Sequence, residues 1–277
     1  MRAIDICLLP FTPETKAGAY AETPSLRESM ERSGLWDTEF TADELVAEMD
    51  VNGIERSFLL AQHGGSWEVS HEYIRDFVAD HPRRLFGLAG IDPRDIRAGV
   101  ERMVKAIVEY GFVGALSYPH WFERSPADAT YYPFYAKCVE LDVPIEIQVG
   151  QAYQRDLPDV ARPAEIDRVA CDFPELRIVG IHTGYPWERE MIAVARKHPN
   201  VFIGADNWHP SVWPQELVEF IAGPGRSQVL WGTNKPAVDP AASLAGVLAL
   251  GFDDETLDSL LYANSERVFS SARAPDR

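Results

Sequence analysis

The chain has 277 residues, 46% of them hydrophobic and 25% charged, a globular composition that excludes the disordered, collagenous and membrane-spanning classes. Its 26 Lys and Arg against 43 Asp and Glu give a formal charge of −17, which repels phosphate backbones and anionic lipid, so neither nucleic acid nor a membrane is expected as a partner. Asp5 and Pro10 break the apolar opening MRAIDICLLP, which does not read as a signal peptide; the odd set Cys7, Cys138 and Cys171 lacks metal-type spacing, and the expected location is cytoplasmic.

The first predicted strand is AIDICLL from Ala3. Residues 11–40, rich in Pro, Thr, Glu and Gly, then form a connection too long for an ordinary βα loop. Phe11, Tyr20, Leu35, Trp36 and Phe40 give it apolar groups to bury, which makes it a candidate lid; the alternative is a surface excursion with no catalytic role. Thr41 and Glu44 have capping-box spacing and open a helix carrying Leu45, Val46 and Met49. Strands IERSFLLA from Ile54 and RLFGLAGI from Arg84 follow. Next comes a helix with a stripe of Ile96, Val100, Met103, Val104, Ile107 and Val108, stopped at Gly111.

Strands FVGALSY from Phe112, VPIEIQV from Val143 and LRIVGIHT from Leu176 come next, then a helix bearing Met191, Val194 and Ala195. VFIGADN from Val201 and VLWGTN from Val229 complete the strands, and Leu257, Leu260, Leu261 and Val268 mark a last helix. From the second strand onward the starts lie about 25 to 33 residues apart, room for one strand, one helix and two loops. The pattern predicts an α/β fold: a single (β/α)8 TIM barrel over residues 1–277, with 11–40 over its C-terminal mouth. A doubly wound open sheet is the alternative, weakened because no Gly-rich phosphate fingerprint follows the first strand.

IDIC at positions 4–7, TADELVAEMDVNGIERSFLL from Thr41, FPELRIVGIHTGYPWEREMIAVARKHPNVFI from Phe173, VLWGTNKP from Val229 and YANSERVF from Tyr262 resemble the decarboxylase-like branch of the amidohydrolase superfamily. The resemblance runs in order over almost the whole chain. It implies the same barrel and an enzyme, commonly metal dependent, that hydrolyses or decarboxylates small cyclic or aromatic acids. The metal residues do not carry over. Where relatives begin Ile-Asp-x-His-x-His, this chain has Cys7 and Leu9 in place of the two histidines. Gln148 stands at the fifth-strand histidine position, Asn234 at the eighth-strand aspartate position, and only His182 matches. A divalent cation wants several anionic or imidazole ligands, so the expectation is a site with no metal and no other cofactor. A rebuilt site from Cys7, His182 and His209 is the alternative.

His182, at the C-terminal end of the sixth strand, is the candidate general acid or base. His209, within Asp206-Asn207-Trp208-His209-Pro210, is a candidate second proton donor, and Asp206 a substrate contact. Cys7 with His182, Gln148 and Asn234 supplies either a nucleophile, base, orienting amide and oxyanion donor, or a set of neutral groups that hydrogen-bond substrate. His63, His120 and Trp121 either line the pocket and stack on a flat substrate or are loop residues packing on one another, and Tyr118 either supplies a hydroxyl to the substrate or packs in the core. Arg124 and Arg155 are candidate carboxylate anchors or solvated loop residues. Deep Asp5 and Glu146 are expected to be hydrogen-bonded inside the barrel. His71, His81 and His198 are placed on the outer helical ring without function.

The leading function is a metal-independent hydrolase, or a carbon–carbon lyase of decarboxylase or cyclase type, acting on a small cyclic or aromatic substrate. The alternatives are a catalytically inactive barrel that binds a ligand or partner and a conventional metal hydrolase. Assembly into a homo-oligomer is left open.

Overall fold

The computed structural model describes residues 2–64, 67–152 and 154–270. Eight parallel strands succeed one another in chain order: β1 (Ala3–Leu8), β2 (Ile54–Leu60), β5 (Leu85–Gly90), β6 (Gly114–Ser117), β7 (Ile145–Gln148), β8 (Ile178–Ile181), β9 (Val201–Ala205) and β10 (Val229–Trp231). An antiparallel hairpin of β3 (Gln62–Gly64) and β4 (Trp67–Val69) follows the second of them. The barrel closes where Leu8 bridges Lys235 in parallel; there the Leu9 N–H donates to the Lys235 carbonyl at 2.9 Å and the Asn234 N–H to that of Cys7 at 2.8 Å. Nearly every strand residue is buried, because helices cover the outside of the sheet while side chains fill its bore.

The outer helices are α3 (Ala42–Asn52), α4 (His71–Val78), α5 (Ile96–Val108), α6 (Tyr132–Glu140), α7 (Pro163–Asp172), α8 (Glu188–Lys197), α9 (Gln215–Ala222), α10 (Pro240–Ala249), α11 (Asp254–Asp258) and α12 (Asn264–Val268). At the start of α3 the Thr41 hydroxyl accepts from the Glu44 N–H at 3.3 Å while the Glu44 carboxylate accepts from the Thr41 N–H at 2.9 Å. That reciprocal pair satisfies two otherwise orphaned donors. Gly53, left-handed at φ 70°, ends the helix and turns the chain into β2.

Helix α5 packs through its apolar stripe, with Met103 buried and Ile96, Val100 and Ile107 against the core, but it also buries Gly99 and Ala106, and Val108 is 63% exposed. The cause is proximity. A Cβ at Gly99 would lie 2.4 Å from the Asp92 carbonyl oxygen, so the helix meets the barrel through its small residues. Residues 11–40 are also more ordered than their composition suggests. They hold α1 (Pro13–Thr15), a π-helical turn over Lys16–Tyr20 and α2 (Pro24–Arg32), both α-helices beginning at proline. Phe11 anchors the excursion, its ring 5.2 Å from that of Tyr20 and 5.9 Å from that of Trp36. No helix among the described residues is long and apolar enough to cross a membrane.

His71 is not on the outside. It opens α4 and is buried against β5, with Nε2 3.0 Å from the Gly90 carbonyl oxygen and 3.3 Å from His63 Nε2. Burial, with the neighbouring His63, pushes its pKa down to about 4. In the unfolded chain the imidazole takes a proton at about 6.5, so stability from this group is complete above that pH and lost as pH falls toward 4. His71→Gln should therefore show a destabilisation that shrinks with acidification, by at most about 1.4 kcal/mol per pH unit. Chemical denaturation of both proteins between pH 6.5 and 4 reads it; a difference that does not vary with pH contradicts the assignment.

Candidate active site

A cavity of about 640 Å³ opens at the C-terminal ends of the strands, within the range that holds a drug-sized ligand. Tyr118, Gln148, His182, Asn207, Trp208 and Asn234 line its barrel side, and Met30, Ser33 and Leu35 of the 11–40 excursion line another part. The backbone there is strained. His182 (φ 70°), Thr183 (φ 59°), Asn207 (φ 67°) and Asn234 (φ 49°) are all left-handed, at the ends of three consecutive strands. Each such residue costs about 1–3 kcal/mol and persists only where its surroundings hold it. Here the Thr183 N–H donates to the Gly204 carbonyl at 3.0 Å, and that of Asn234 to Cys7 across the barrel seam.

Asp206, directly after β9, organises His182. Its Oδ1 accepts from the His182 backbone N–H at 2.8 Å and its Oδ2 from the ring Nδ1–H at 2.6 Å. Asp206 is fully buried while the His182 side chain stays 10% exposed and forms part of the cavity wall. With Nδ1 tied inward, Nε2 is the nitrogen left to meet a ligand. A buried carboxylate that fixes tautomer and ring orientation in this way prepares an imidazole to take up and release a proton at Nε2. Asp206 does not line the cavity, so it is a positioning residue for His182 and not the substrate contact expected from sequence.

Other expectations change as well. Cys7 is fully buried behind the cavity wall, its Sγ donating to Asn234 Oδ1 at 3.5 Å. Burial, then the carboxylates of Asp206 and Glu146, push its thiol well above the ordinary value, and Cys7 does not line the cavity, so the geometry favours the neutral hydrogen-bonding reading of Cys7 over the nucleophile. His209 borders the cavity with both nitrogens engaged: Nδ1 accepts from the Ser211 N–H at 3.2 Å, which leaves the Nε2–H to donate to the Ala242 carbonyl at 3.1 Å. It caps the short 3-10 turn Pro210–Val212 and is no proton donor to a substrate.

His63 and His120 also fall outside the cavity lining. His63 Nδ1 lies 2.6 Å from Glu68 Oε1, and His120 Nε2 donates to the Gly150 carbonyl at 2.8 Å. Tyr118 and Trp121 do line the cavity, with the Tyr118 ring 6.4 Å from that of His182. Burial raises the Tyr118 phenol well above its usual value, which keeps it a hydrogen-bond donor. Tyr185 and Trp208, whose rings stack 4.5 Å apart and tilted 42°, form an aromatic wall that sequence reasoning did not name. Asn207 was missed too; its Oδ1 accepts from Asn234 Nδ2 at 2.9 Å.

Deeper in the bore, Asp5 behaves as expected, accepting from the Thr233 hydroxyl at 2.5 Å and the Thr233 N–H at 2.9 Å, and burial still lifts it to about 7. Glu146 does not: neither carboxyl oxygen has a hydrogen-bond partner among the described residues, and burial raises it well above the carboxylate range.

Cys7, His182 and Asp206 offer donor atoms that lie within 4.8 Å of one another, at the position where the resemblance implies a divalent metal. They do not fit one. A hard ion such as manganese seeks an oxygen-rich shell, whereas this set holds a single carboxylate, already bonded to both N–H groups of His182. A zinc ion on Nδ1 and Oδ2 would set those atoms about 3.3 Å apart and require a thiolate. The contact is 2.6 Å, a hydrogen-bond distance. Gln148 and Asn234 add only neutral amides, and Leu9 adds carbon. A second group, Asp167, Cys171 and His198, lies between α7 and α8, where Lys197 already bonds Asp167 at 2.7 Å; it has no part in the mouth.

A family model described as amidohydrolase matches residues 18–270. No curated protein matches the chain. Among solved structures, an uncharacterised TIM-barrel protein from Bordetella bronchiseptica aligns with TM-score 0.84 at 22% identity, over 98% of this chain and 99% of that one. A 2,6-dihydroxybenzoate decarboxylase from Rhizobium aligns with TM-score 0.72 at 17% identity, covering 98% and 99%. A dihydroxybenzoic acid decarboxylase from Polaromonas, solved with bound manganese and the inhibitor 2-nitroresorcinol, aligns with TM-score 0.72 at 17% identity, covering 99% and 98%. At these identities the likeness carries the fold.

Proposed function

The chain belongs to the amidohydrolase family, and from that premise we propose that it is an enzyme for small cyclic or aromatic compounds in which His182 moves the proton and no metal ion takes part. The observation that carries this reading is the 2.6 Å bond from His182 Nδ1 to buried Asp206 in the wall of the cavity. In hydrolysis, Nε2 accepts a proton as water adds to an ester or lactone carbonyl, then returns it to the leaving oxygen as the carbon–oxygen bond breaks. The Tyr118 hydroxyl and the Gln148 amide face the same space and supply donors for the developing oxyanion. In decarboxylation, the reaction of the Rhizobium and Polaromonas proteins, Nε2–H protonates the ring carbon as carbon dioxide departs. The segment 11–40, through Met30, Ser33 and Leu35, is the proposed lid that excludes water around the reacting group.

Assays with an aromatic lactone, 3,4-dihydrocoumarin, and an aromatic acid, 2,6-dihydroxybenzoate, test whether the barrel is an enzyme of this kind. Turnover of at least one of them is expected. Turnover of neither contradicts the reading and favours a barrel that only binds.

A further inference from the structure

The cavity has an unusual charge inventory. Among the described residues that line it there is no Lys and no Arg; Asp239 is the only carboxylate, and His182 and His209 are the only imidazoles, the latter with both nitrogens already engaged. Asp239 caps α10, accepting from the Ala242 N–H at 2.9 Å. His182 is paired with Asp206, so the two together carry no net positive charge in any protonation state in which Asp206 is ionised. The cations near the mouth point elsewhere. Lys235, between two lining residues in sequence, reaches outward to Glu48 at 2.6 Å. Arg155 pairs with Glu28 at 2.6 Å, and Arg124 reaches Thr130 at 3.3 Å, so neither arginine is the anchor considered from sequence.

Instead of cations, the wall presents amides and rings. Gln148, Gln151 and Gln154, with the remaining amide hydrogens of Asn207 and Asn234, make a neutral set of the kind that satisfies carbonyls and hydroxyls but neutralises nothing. With its Oδ1 bonded to Asn234, Asn207 keeps its NH2 group for a ligand. Tyr118, Trp121, Tyr185 and Trp208 give flat apolar faces. A carboxylate entering this space would shed water without gaining a cationic partner, and would approach the buried acids Asp206 and Glu146. The volume of about 640 Å³ also suits more than one ring.

Resting on the reading of the mouth as a small-molecule site, we infer that its ligand is an uncharged, fused-ring aromatic compound bearing carbonyl or hydroxyl groups, and that aromatic carboxylates are discriminated against. Of the two reactions considered for the site, this selects attack on a neutral carbonyl over decarboxylation.

The test is calorimetric titration of the intact protein at pH 7.5 with 3-hydroxy-2-naphthoate and with its methyl ester. The two share ring, hydroxyl and carbonyl and differ in charge. The ester is expected to bind at least tenfold tighter than the acid, and Trp208→Ala, which removes one aromatic face, should weaken it. Gln151→Arg, at an exposed position on the rim, should raise the affinity for the acid relative to that for the ester about tenfold. Equal or tighter binding of the acid by the unmodified protein overturns the inference, as does failure of both probes to bind. Because only binding is read, such a result leaves the role of His182 standing, and loss of that role in turnover assays leaves the charge preference standing.

Discussion

His182→Asn is expected to lower turnover by a factor of about 10² to 10⁴, the usual contribution of a general acid or base, with folding and ligand binding largely kept. Asparagine is chosen because it preserves what His182 does for the fold. Its side-chain N–H can donate to Asp206 Oδ2 as Nδ1–H does, and asparagine tolerates the left-handed φ of 70° found there. What it lacks is Nε2. The loss should appear in kcat with KM little changed, and the thermal midpoint should stay near that of the unaltered protein. Near-normal turnover removes His182 from the chemistry.

The second large effect is expected from Asp206→Asn. The carboxylate accepts two hydrogen bonds from His182, one from the backbone and one from the ring. An amide has one acceptor, so one of those donors then faces an N–H. If the ring gives way, the imidazole adopts the opposite tautomer, with the proton on Nε2 and no base toward the cavity, and kcat falls by about 10² to 10⁴, as when the orienting aspartate of a catalytic triad is replaced. If the backbone N–H is orphaned instead, stability drops by about 1–3 kcal/mol. Steady-state kinetics and denaturation separate the two routes, and unchanged values in both contradict the positioning role.

The barrel was legible because each strand is a short apolar run and four of the helical segments between and after them carry a cap or stripe of their own. The start of α3 could be read from Thr41 and Glu44 alone, since a capping box is made within four residues. Where contacts come from distant parts of the chain, local pattern misled. On α5 the burial of Gly99, which admits the Asp92 carbonyl, is a contact that no helical period encodes. The helices in 11–40 are too short for periodicity to register. His71 looked peripheral because it begins a helix, yet β5 and His63 close over it.

At the mouth, His182 was legible from its strand-end position. The role of Asp206 was not, because its contact with His182 spans two strands. Cys7 and His209 have reactive side-chain types, and only the partners of each, Asn234 for one and Ser211 with Ala242 for the other, reveal that they are held in structural bonds. Sequence could also note the missing metal ligands, but not that the remaining donors are joined by a proton.

That last point is the central claim, and metal dependence tests it most directly. The protein is exhaustively treated with chelator, its manganese and zinc contents are determined by elemental analysis, and turnover of 3,4-dihydrocoumarin or 2,6-dihydroxybenzoate, whichever it accepts, is measured before treatment, after it and with each metal added back. The account predicts the same rate in all samples, with far less than one ion per chain in the treated protein. A rate that vanishes on chelation and returns in proportion to one bound ion per chain would contradict it.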